Sequence, residues 1–307
     1  MKIMTQDDMR DRICELRKSM NAVILTHNYQ LAEVQEIADF VGDSLELSIK
    51  ASKTRADVIV FCGVQFMAET AYILSPDKTV LLPSPESGCP MADMAEASDV
   101  KKMKEEYPDA LVVTYVNSSA EVKALSDICV TSANAVKIVS SLPEDKKIIF
   151  VPDKNLGAYV QQETNRDIIL WPGFCPTHMR ISRDILKKRI EEYPDAAVVV
   201  HPESPLDVIE LADEALSTGG MIRFAAATDA SQIICGTEIG MIYRLAKENP
   251  DKQFIPVSEQ AVCPMMKMHR LENLLDAMEK MKHSIVVPEE IRLKALRPIE
   301  KMLELSR

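Results

Sequence analysis

Three segments of the 307-residue chain can be aligned with one another without a gap. They are NAVILTHNYQLAEVQEIADFVGDS at 21–44, DALVVTYVNSSAEVKALSDICVTS at 109–132 and DAAVVVHPESPLDVIELADEALST at 195–218. Each begins with a short β-branched run that is typical of a buried parallel strand, and each continues into an amphipathic helix. These helices are expected to start near Ala32, Ala120 and Leu206. Repetition of this kind restricts the fold to copies of one supersecondary unit.

Each repeat continues with a second apolar run, a short helix, a third apolar run and then the dipeptide Cys-Pro. Strands that alternate with helices in this order predict βαβαβ units with parallel sheets. The cysteines of the three dipeptides, Cys89, Cys175 and Cys263, therefore occupy the same position in three copies. We expect an α/β fold in which the three copies pack about a pseudo-threefold axis, with an active site at their central interface.

The repeats divide the chain into five predicted segments. The three repeats are expected to span 21–106, 107–192 and 193–275. An N-terminal helix is expected within 1–20, and C-terminal helices that pack on the repeats within 276–307.

Charge and hydropathy exclude several classes of protein. A net charge of -11 without a basic cluster argues against a nucleic-acid partner, because phosphates could not be neutralised. No apolar stretch approaches the roughly 18 residues of a membrane span, so we expect no membrane partner and a cytoplasmic location.

The seven cysteines fit neither a secreted disulfide framework nor a local zinc motif, because their number is odd and no CxxC pair occurs. Four of them lie beside apolar runs and are expected to fill the core, namely Cys14, Cys62, Cys129 and Cys235. The three that precede proline are expected in loops, because proline ends regular structure.

A polar triplet follows the first strand of each repeat, just as Cys-Pro follows the third strand. The triplets occupy 27–29, 115–117 and 201–203. Parallel α/β units place ligand-binding groups at the carboxyl ends of their strands, so three thiolates and three triplets would converge on one cavity. Three thiolates can hold zinc or an iron–sulfur cluster, and three equivalent loops with a proline after each ligand favour the cluster. Three ligands for four irons leave one iron open as a Lewis acid.

Several further motifs are spread over nearly the whole chain: THNYQ, GDSLELS, CGVQFMAETA, GCPMADM, TYVNSSAEVKA, TSANAVKIV, PDKNLGAYV, WPGFCPTH, HPE and STGGM. Together they resemble the quinolinate synthase family. The resemblance implies three homologous Rossmann-like αβα domains around a 4Fe-4S cluster held by three cysteines. It also implies an enzyme that condenses iminoaspartate with dihydroxyacetone phosphate to quinolinate, releasing phosphate and two waters.

This activity would be a transferase-type condensation in the de novo biosynthesis of NAD. The resemblance implies the two small-molecule substrates as partners, with iminoaspartate supplied transiently by an upstream aspartate-oxidising enzyme.

The resemblance assigns roles to individual residues. It implies Cys89, Cys175 and Cys263 as cluster ligands, and Tyr29 resembles the catalytic tyrosine of the family. The implied substrate contacts are His27, Ser44, Tyr115, Asn117, Ser132, His201, Glu203 and Thr218.

The residue types agree with anionic substrates. Hydroxyls of Ser44, Ser132 and Thr218 can bind a carboxylate or phosphate beside helix N-termini, with simple N-capping as the alternative. Histidines can donate to the same anions, and His201 is included in the predicted catalytic group together with Tyr29. Glu203 is the only acid in the triplets, so it is predicted to be the general acid/base, with a solvated loop carboxylate as the alternative.

Three positions depart from the family pattern, but none is a proposed ligand. Gln65 stands where histidine is frequent, His269 stands where a smaller polar residue is expected, and the third ligand loop offers no cysteine besides Cys263. Two other functions remain open at this point. A zinc hydrolase would use the thiolates and an activated water, and a redox sensor would use a cluster without a substrate.

Overall fold

A computed structural model of the chain describes residues 4–306, which form three parallel four-stranded sheets with helices packed against them. The predicted α/β class is confirmed. The first sheet contains β1 (Ala22–His27), β2 (Phe40–Gly42), β3 (Val58–Cys62) and β4 (Thr79–Leu81) in the order β2-β1-β3-β4. The second contains β5 (Leu111–Tyr115), β6 (Ile128–Val130), β7 (Ile148–Val151) and β8 (Ile168–Leu170) in the order β6-β5-β7-β8. The third contains β9 (Ala197–Val200), β10 (Glu214–Ala215), β11 (Gln232–Gly236) and β12 (Gln253–Pro256) in the order β10-β9-β11-β12.

The helices alternate with these strands. Those of the first repeat are α2 (Ala32–Ile37), α3 (Ser44–Lys53) and α4 (Gln65–Leu74), and those of the second are α6 (Ala120–Ala124), α7 (Ala135–Ser140) and α8 (Lys154–Thr164). The third repeat has α10 (Leu206–Ile209), α11 (Thr218–Ala227) and α12 (Gly240–Glu248). The starts predicted at Ala32, Ala120 and Leu206 are confirmed.

The predicted βαβαβ unit lacked one strand and one helix. Each repeat contains a second strand of only two or three residues, β2, β6 or β10, directly before the helix that begins near Ser44, Ser132 or Thr218. Two or three residues are too few to show the alternation of a strand, so the sequence did not separate them from the preceding helix. The unit is therefore βαβαβαβ.

Strand pairing has the same register in all three sheets. The equivalent pairs are Thr26 with Cys62, Thr114 with Val151 and Val200 with Gly236. Because the register is equal, the residues that follow these strands leave each sheet at the same edge. The three polar triplets and the residues after the second long strand are thus placed alike in each repeat.

The helix that follows each Cys-Pro dipeptide packs on the sheet of the next repeat. Helix α5 (Ala97–Glu106) buries Val100 in one cluster with Val112 of the second sheet. Helix α9 (Arg183–Glu192) buries Leu186 in one cluster with Val198 of the third sheet. Helix α13 (Leu271–Lys280) returns to the first sheet, where Leu274 shares a cluster with Ile24. The chain therefore closes on itself.

The terminal helices complete the packing. Helix α1 (Gln6–Ser19) is capped by Thr5 and adds Ile13 to the cluster that contains Leu274. Helix α14 (Glu289–Leu305) lies against α6 and β6, with Ile299 fully buried. The boundary expected at residue 276 falls inside α13. None of the helices in 4–306 combines the length and hydropathy that would let it cross a membrane.

Candidate active site

A cavity of about 140 Å³ lies between the three repeats. One buried water needs only about 10–15 Å³, so this volume accommodates a small molecule or a compact metal cofactor. Its lining includes every residue that the sequence analysis singled out for the site: His27, Tyr29, Ser44, Cys89, Tyr115, Asn117, Ser132, Cys175, His201, Glu203, Thr218 and Cys263. Their roles remain predictions, but the structure brings all of them together.

The three Cys-Pro loops have one conformation. A 3₁₀ turn begins three residues after each cysteine, and the turns span Ala92–Met94, His178–Arg180 and Met266–Met268. These turns direct backbone N–H groups at the sulfurs, since Ala92 donates to Cys89, His178 to Cys175 and Met266 to Cys263. Such N–H···S bonds stabilise thiolates and tune the iron–sulfur sites in which they occur.

The thiols are poorly solvated. Burial raises the pKa of Cys89 to about 12, with Cys263 as a further charge that raises it. Burial likewise raises the pKa of Cys175 and of Cys263. Thiolates in such a place need a cation, so the three sulfurs and their N–H donors fit an iron–sulfur cluster or another thiophilic metal.

The four remaining cysteines lie away from the cavity. Cys62, Cys129 and Cys235 are buried among apolar side chains, and Cys14 packs at the edge of the cluster around Ile13. Burial raises the pKa of Cys62, Cys129 and Cys235 to about 12. The predicted core-filling role agrees with this placement.

Ser44 and Thr218 are not the N-caps of their helices. The caps are the preceding residues, Asp43 for α3 and Ser217 for α11, whose side chains accept backbone N–H groups of the first turn. The hydroxyls of Ser44 and Thr218 are thereby left for other partners. Thr218 Oγ1 accepts a 2.7 Å hydrogen bond from Asn28 of the first repeat.

Ser132 precedes α7, whose N-cap residue is Asn134. Its hydroxyl lies 3.1 Å from Nε2 of His201, which belongs to the third repeat. Simple N-capping therefore does not account for any of the three hydroxyls.

His27 and His201 are neutral donors. Burial lowers the pKa of each to about 3. In both, Nδ1 accepts the backbone N–H two residues further on, at Tyr29 and at Glu203 respectively. This bond leaves the proton on Nε2, so that each ring presents one N–H as a donor.

Glu203 is buried, with 4% of its surface exposed, and is held by residues of the second repeat. The Tyr115 hydroxyl donates to Oε1 at 2.6 Å, and His178 Nδ1 lies 2.8 Å from Oε2. Burial alone would raise the pKa of the Glu203 carboxyl, but the charge of His178 and the hydrogen bonds from His178 and Tyr115 hold it below its usual range. A solvated loop carboxylate, the alternative considered from sequence, is therefore excluded.

Asp153 also lies buried in this region. Its Oδ1 caps α8. Burial, and next the Glu203 charge, raises the pKa of Asp153. The two carboxyl pKa values are therefore shifted in opposite directions, that of Glu203 down and that of Asp153 up.

Tyr29 is connected to Glu203 by hydrogen bonds. The Tyr29 hydroxyl lies 2.6 Å from Thr237 Oγ1, which lies 3.1 Å from Nε2 of His178. Nδ1 of the same ring faces Glu203, so a continuous path joins two of the three predicted catalytic residues, Tyr29 and Glu203. Burial raises the pKa of the Tyr29 hydroxyl, which is therefore protonated near neutral pH.

His178 had no role predicted from sequence. The ring is 1% exposed, lies 3.2 Å from Cys175 Sγ and stacks on His201 with 4.8 Å between ring centroids. The spacing Cys175-Pro-Thr-His178 was a usable signal, because it places both side chains on one turn.

Glu238 and Lys267 were also missed. Glu238 accepts the backbone N–H of Cys263 at 3.0 Å and forms an ion pair with Lys267, which donates to the Tyr29 carbonyl. Glu238 of the third repeat corresponds to Asp153 of the second, because each lies two residues after an equivalent paired strand residue, Gly236 or Val151. This correspondence could have identified Glu238 from the repeats.

In two repeats, an equivalent side chain donates hydrogen bonds to carbonyls of the loop that carries the polar triplet. Gln35 donates to the carbonyls of Asn28 and Gln30, at 3.1 and 2.9 Å. The aligned Lys123, which is fully buried, donates to the Ser118 carbonyl at 2.5 Å. Neither Gln65 nor His269 lines the cavity: Gln65 is exposed, and His269 is buried against the Gly63 carbonyl.

Known proteins resemble the chain over nearly its full length. The family model described as "Quinolinate synthetase A protein" matches residues 11–304. A quinolinate synthase of Dehalococcoides mccartyi strain CBDB1 is 59% identical over 95% of this chain and 96% of its own length. The quinolinate synthase of Thermodesulfovibrio yellowstonii is 55% identical over 96% of this chain and 97% of its own length. That of Geobacter metallireducens is 52% identical over 99% of this chain and 100% of its own length.

Among solved structures, an E-1-hydroxy-2-methyl-but-2-enyl-4-diphosphate reductase from Plasmodium falciparum covers 89% of this chain and 94% of its own. Its TM-score of 0.35 and its 12% sequence identity make this likeness too weak to inform the fold or the site.

Proposed function

Since the chain belongs to the quinolinate synthase family, we propose that it condenses iminoaspartate with dihydroxyacetone phosphate to quinolinate. Phosphate and two waters are released, and the product enters the biosynthesis of NAD in a transferase-type step. The observation that carries this proposal is the hydrogen-bonded path from Tyr29 through Thr237 and His178 to Glu203, along one wall of the cavity.

A 4Fe-4S cluster held by Cys89, Cys175 and Cys263 is the proposed cofactor. Three equivalent turns with N–H groups directed at the sulfurs support it, as do thiols that need a cation to ionise. When bound through three cysteines, such a cluster supplies a Lewis-acidic iron toward a substrate hydroxyl or carbonyl.

We also propose that the three repeats are Rossmann-like domains related by a pseudo-threefold axis. Equal strand registers and three like Cys-Pro turns support this arrangement. Further support comes from the helices after these turns, since each covers the next sheet and the last covers the first.

The lining of the cavity suits dianionic substrates. Two sets of side chains are neutral donors to carboxylate or phosphate oxygens. They are the hydroxyls of Ser44, Ser132 and Thr218, which do not cap a helix, and the Nε2–H groups of His27 and His201. The side-chain oxygen of Asn117 is buried and has no hydrogen-bond partner within the described residues. It is thus available to accept the N–H of an imine.

Glu203 and Tyr29 are proposed to move protons. The ionised carboxylate of Glu203 takes a proton from a substrate carbon or nitrogen, and its bond from Tyr115 keeps it oriented. The protonated hydroxyl of Tyr29 gives a proton to a leaving oxygen. His178, between them, can return the proton along the path while His201 holds the stacked ring in place.

Iminoaspartate is short-lived in water, so an upstream aspartate-oxidising enzyme is the proposed supplier. Seven free cysteines support a cytoplasmic setting, where thiols remain reduced. Neither a nucleic acid nor a membrane is part of the proposal.

Anaerobic purification tests the proposal directly. We expect about four irons and four sulfides per chain, and quinolinate formation when iminoaspartate generated in the assay is mixed with dihydroxyacetone phosphate. One zinc without sulfide would favour the hydrolase considered above. A full cluster without turnover, and without binding of quinolinate, would favour the redox sensor.

A further inference from the structure

Only the second of the three Cys-Pro turns has a metal-ligating side chain three residues after the cysteine. The position three residues after the cysteine is Ala92 in the first turn, Met266 in the third and His178 in the second. The second turn thus carries a thiol and an imidazole at the spacing Cys-x-x-His, and short spacings of this kind are common among zinc ligands.

A carboxylate joins this pair. Cys175 Sγ, His178 Nδ1 and a Glu203 oxygen all lie within 4.8 Å of one another. Nδ1 is at 3.2 Å from the sulfur and 2.8 Å from Oε2, so it lies between the two anionic ligands. A metal ion would take the place of the proton that these three atoms now share.

The hydrogen bonds to Thr237 and Tyr115 engage the far atoms of His178 and Glu203, so that the near atoms are available to a metal ion. Thr237 Oγ1 lies 3.1 Å from His178 Nε2, and Tyr115 donates to Glu203 Oε1. Partners of this kind fix the tautomer of a ligand histidine and the orientation of a ligand carboxylate. Nδ1 and Oε2 are therefore the atoms that face Cys175.

Charge and access also match a divalent ion. One thiolate and one carboxylate balance two positive charges, which matters because the side chains of His178 and Glu203 are only 1% and 5% exposed. The cavity on the open side supplies a fourth position for water, as in zinc sites with three protein ligands.

We propose that Cys175, His178 and Glu203 form a binding site for Zn²⁺ or a similar thiophilic divalent ion in chains that have not received their cluster. Binding releases two protons to solvent, the thiol proton of Cys175 and the proton between His178 Nδ1 and Glu203 Oε2, so that His178 binds through Nδ1 as the neutral ring. The occupied site removes one of the three cluster cysteines, so zinc blocks cluster assembly. This last consequence rests on the proposed function, whereas the metal site itself does not.

The test titrates the cluster-free chain with Zn²⁺ or Co²⁺ under anaerobic conditions. We expect one ion per chain and a Co²⁺ charge-transfer band of the intensity given by a single thiolate. His178→Ala should weaken binding at least 100-fold, whereas Cys89→Ser and Cys263→Ser should leave it within about threefold. A Tyr115→Phe variant should weaken it about 10- to 100-fold through the lost hydrogen bond to Glu203.

Two results would overturn the site. One is a loss of affinity in Cys89→Ser as large as that in His178→Ala. The other is a three-thiolate Co²⁺ band in the wild-type chain, a result that does not depend on the folding of any variant. His27→Ala, which changes another buried histidine of the cavity, is the matched control and should bind normally.

Cluster reconstitution separates the two proposals. Zinc added beforehand should stop iron uptake in the wild type, and uptake should resume once a chelator has removed the zinc. If the zinc-free wild type takes up no iron, the proposed cofactor is wrong while the metal titration still decides the zinc site. If zinc binds at the three residues and iron uptake continues unchanged, the blocking role is refuted.

Discussion

Lys267 and Glu238 form an ion pair inside the protein, with the Lys267 ammonium 2.9 Å from the carboxylate. The Glu238 side chain is fully buried and that of Lys267 is 16% exposed. Glu238 also holds the backbone N–H of Cys263, and Lys267 holds the carbonyl of Tyr29. The pair therefore ties the third cysteine loop to the loop of the proposed catalytic tyrosine.

Replacing Lys267 by Met should destabilise the fold by about 3–5 kcal/mol, because the buried Glu238 charge loses its counter-ion. Urea denaturation of the two proteins measures the difference in the free energy of unfolding. Lys294→Met is the control, since Lys294 pairs with Glu290 on the surface and should leave that free energy nearly unchanged. Equal effects of the two substitutions would show that the buried pair has no special weight.

Single substitutions of the seven cysteines should divide them into two groups. Cys89→Ser, Cys175→Ser and Cys263→Ser should each purify with little or no iron, because each removes one of the three proposed ligands. Alanine at Cys14, Cys62, Cys129 or Cys235 should retain the iron, with a loss of stability of about 1 kcal/mol at the buried positions. Iron and sulfide analysis of anaerobic preparations measures this, and a fully loaded Cys175→Ser would refute the ligand set.

Glu203→Gln should separate catalysis from binding. The amide can still accept the hydrogen bond from Tyr115 but cannot take a proton, so turnover should fall about 10²- to 10⁴-fold. Affinity for quinolinate should stay similar, as measured by anaerobic titration. Turnover close to the wild type would move the proton-transfer role to another group, with Tyr29 next in line.

Ser132→Ala should show the opposite behaviour. Its hydroxyl lies at His201 Nε2 and is a proposed donor to an anionic substrate. Removing it should weaken quinolinate binding by about 1–3 kcal/mol, as for a lost hydrogen bond to a charged group. The same titration measures the effect, and a larger loss in turnover than in affinity would contradict a binding role.

The free energy of unfolding should decrease as the pH is lowered, in part because of His269. Burial lowers the pKa of this histidine to about 4, whereas the unfolded chain has the ordinary value near 6.5. Between these values the unfolded state binds the extra proton, so the fold loses about 2 kcal/mol from pH 7 to pH 5 by this group. His27 and His201 add to the same trend, because burial lowers their pKa to about 3.

The His269 share is measured by comparison with His269→Gln, whose amide can still donate to the Gly63 carbonyl. Unfolding free energies at several pH values should show a flatter dependence in the variant. Parallel curves for the two proteins would mean that the pKa of His269 is the same in the folded and unfolded states.

Much of the fold followed from repetition. Three aligned copies were enough to predict the helix starts at Ala32, Ala120 and Leu206, and to predict that Cys89, Cys175 and Cys263 meet. The repeats here provide the information that a short cysteine spacing gives in a local metal motif. Equivalent positions in equivalent units must converge if the units face one centre.

The sequence did not predict two kinds of contact, those of a residue that is unique to one repeat and those between residues of different repeats. His178 has no counterpart in the other two turns, and its neighbour Glu203 belongs to another repeat. Lys267 reaches a carbonyl of the first repeat. Neither periodicity nor alignment of the copies carries information on such pairs, because only the packed structure determines which loops touch.

The return of α13 to the first sheet has a consequence for how the chain can be divided. In an open array of repeats the first and last copies have free faces, and shortening the array leaves a smaller version of the same fold. Here, removal of one copy would leave a sheet without its covering helix and a helix without its sheet. The three repeats are therefore a single folding unit, and we would not expect any shorter piece to exist as a stable intermediate.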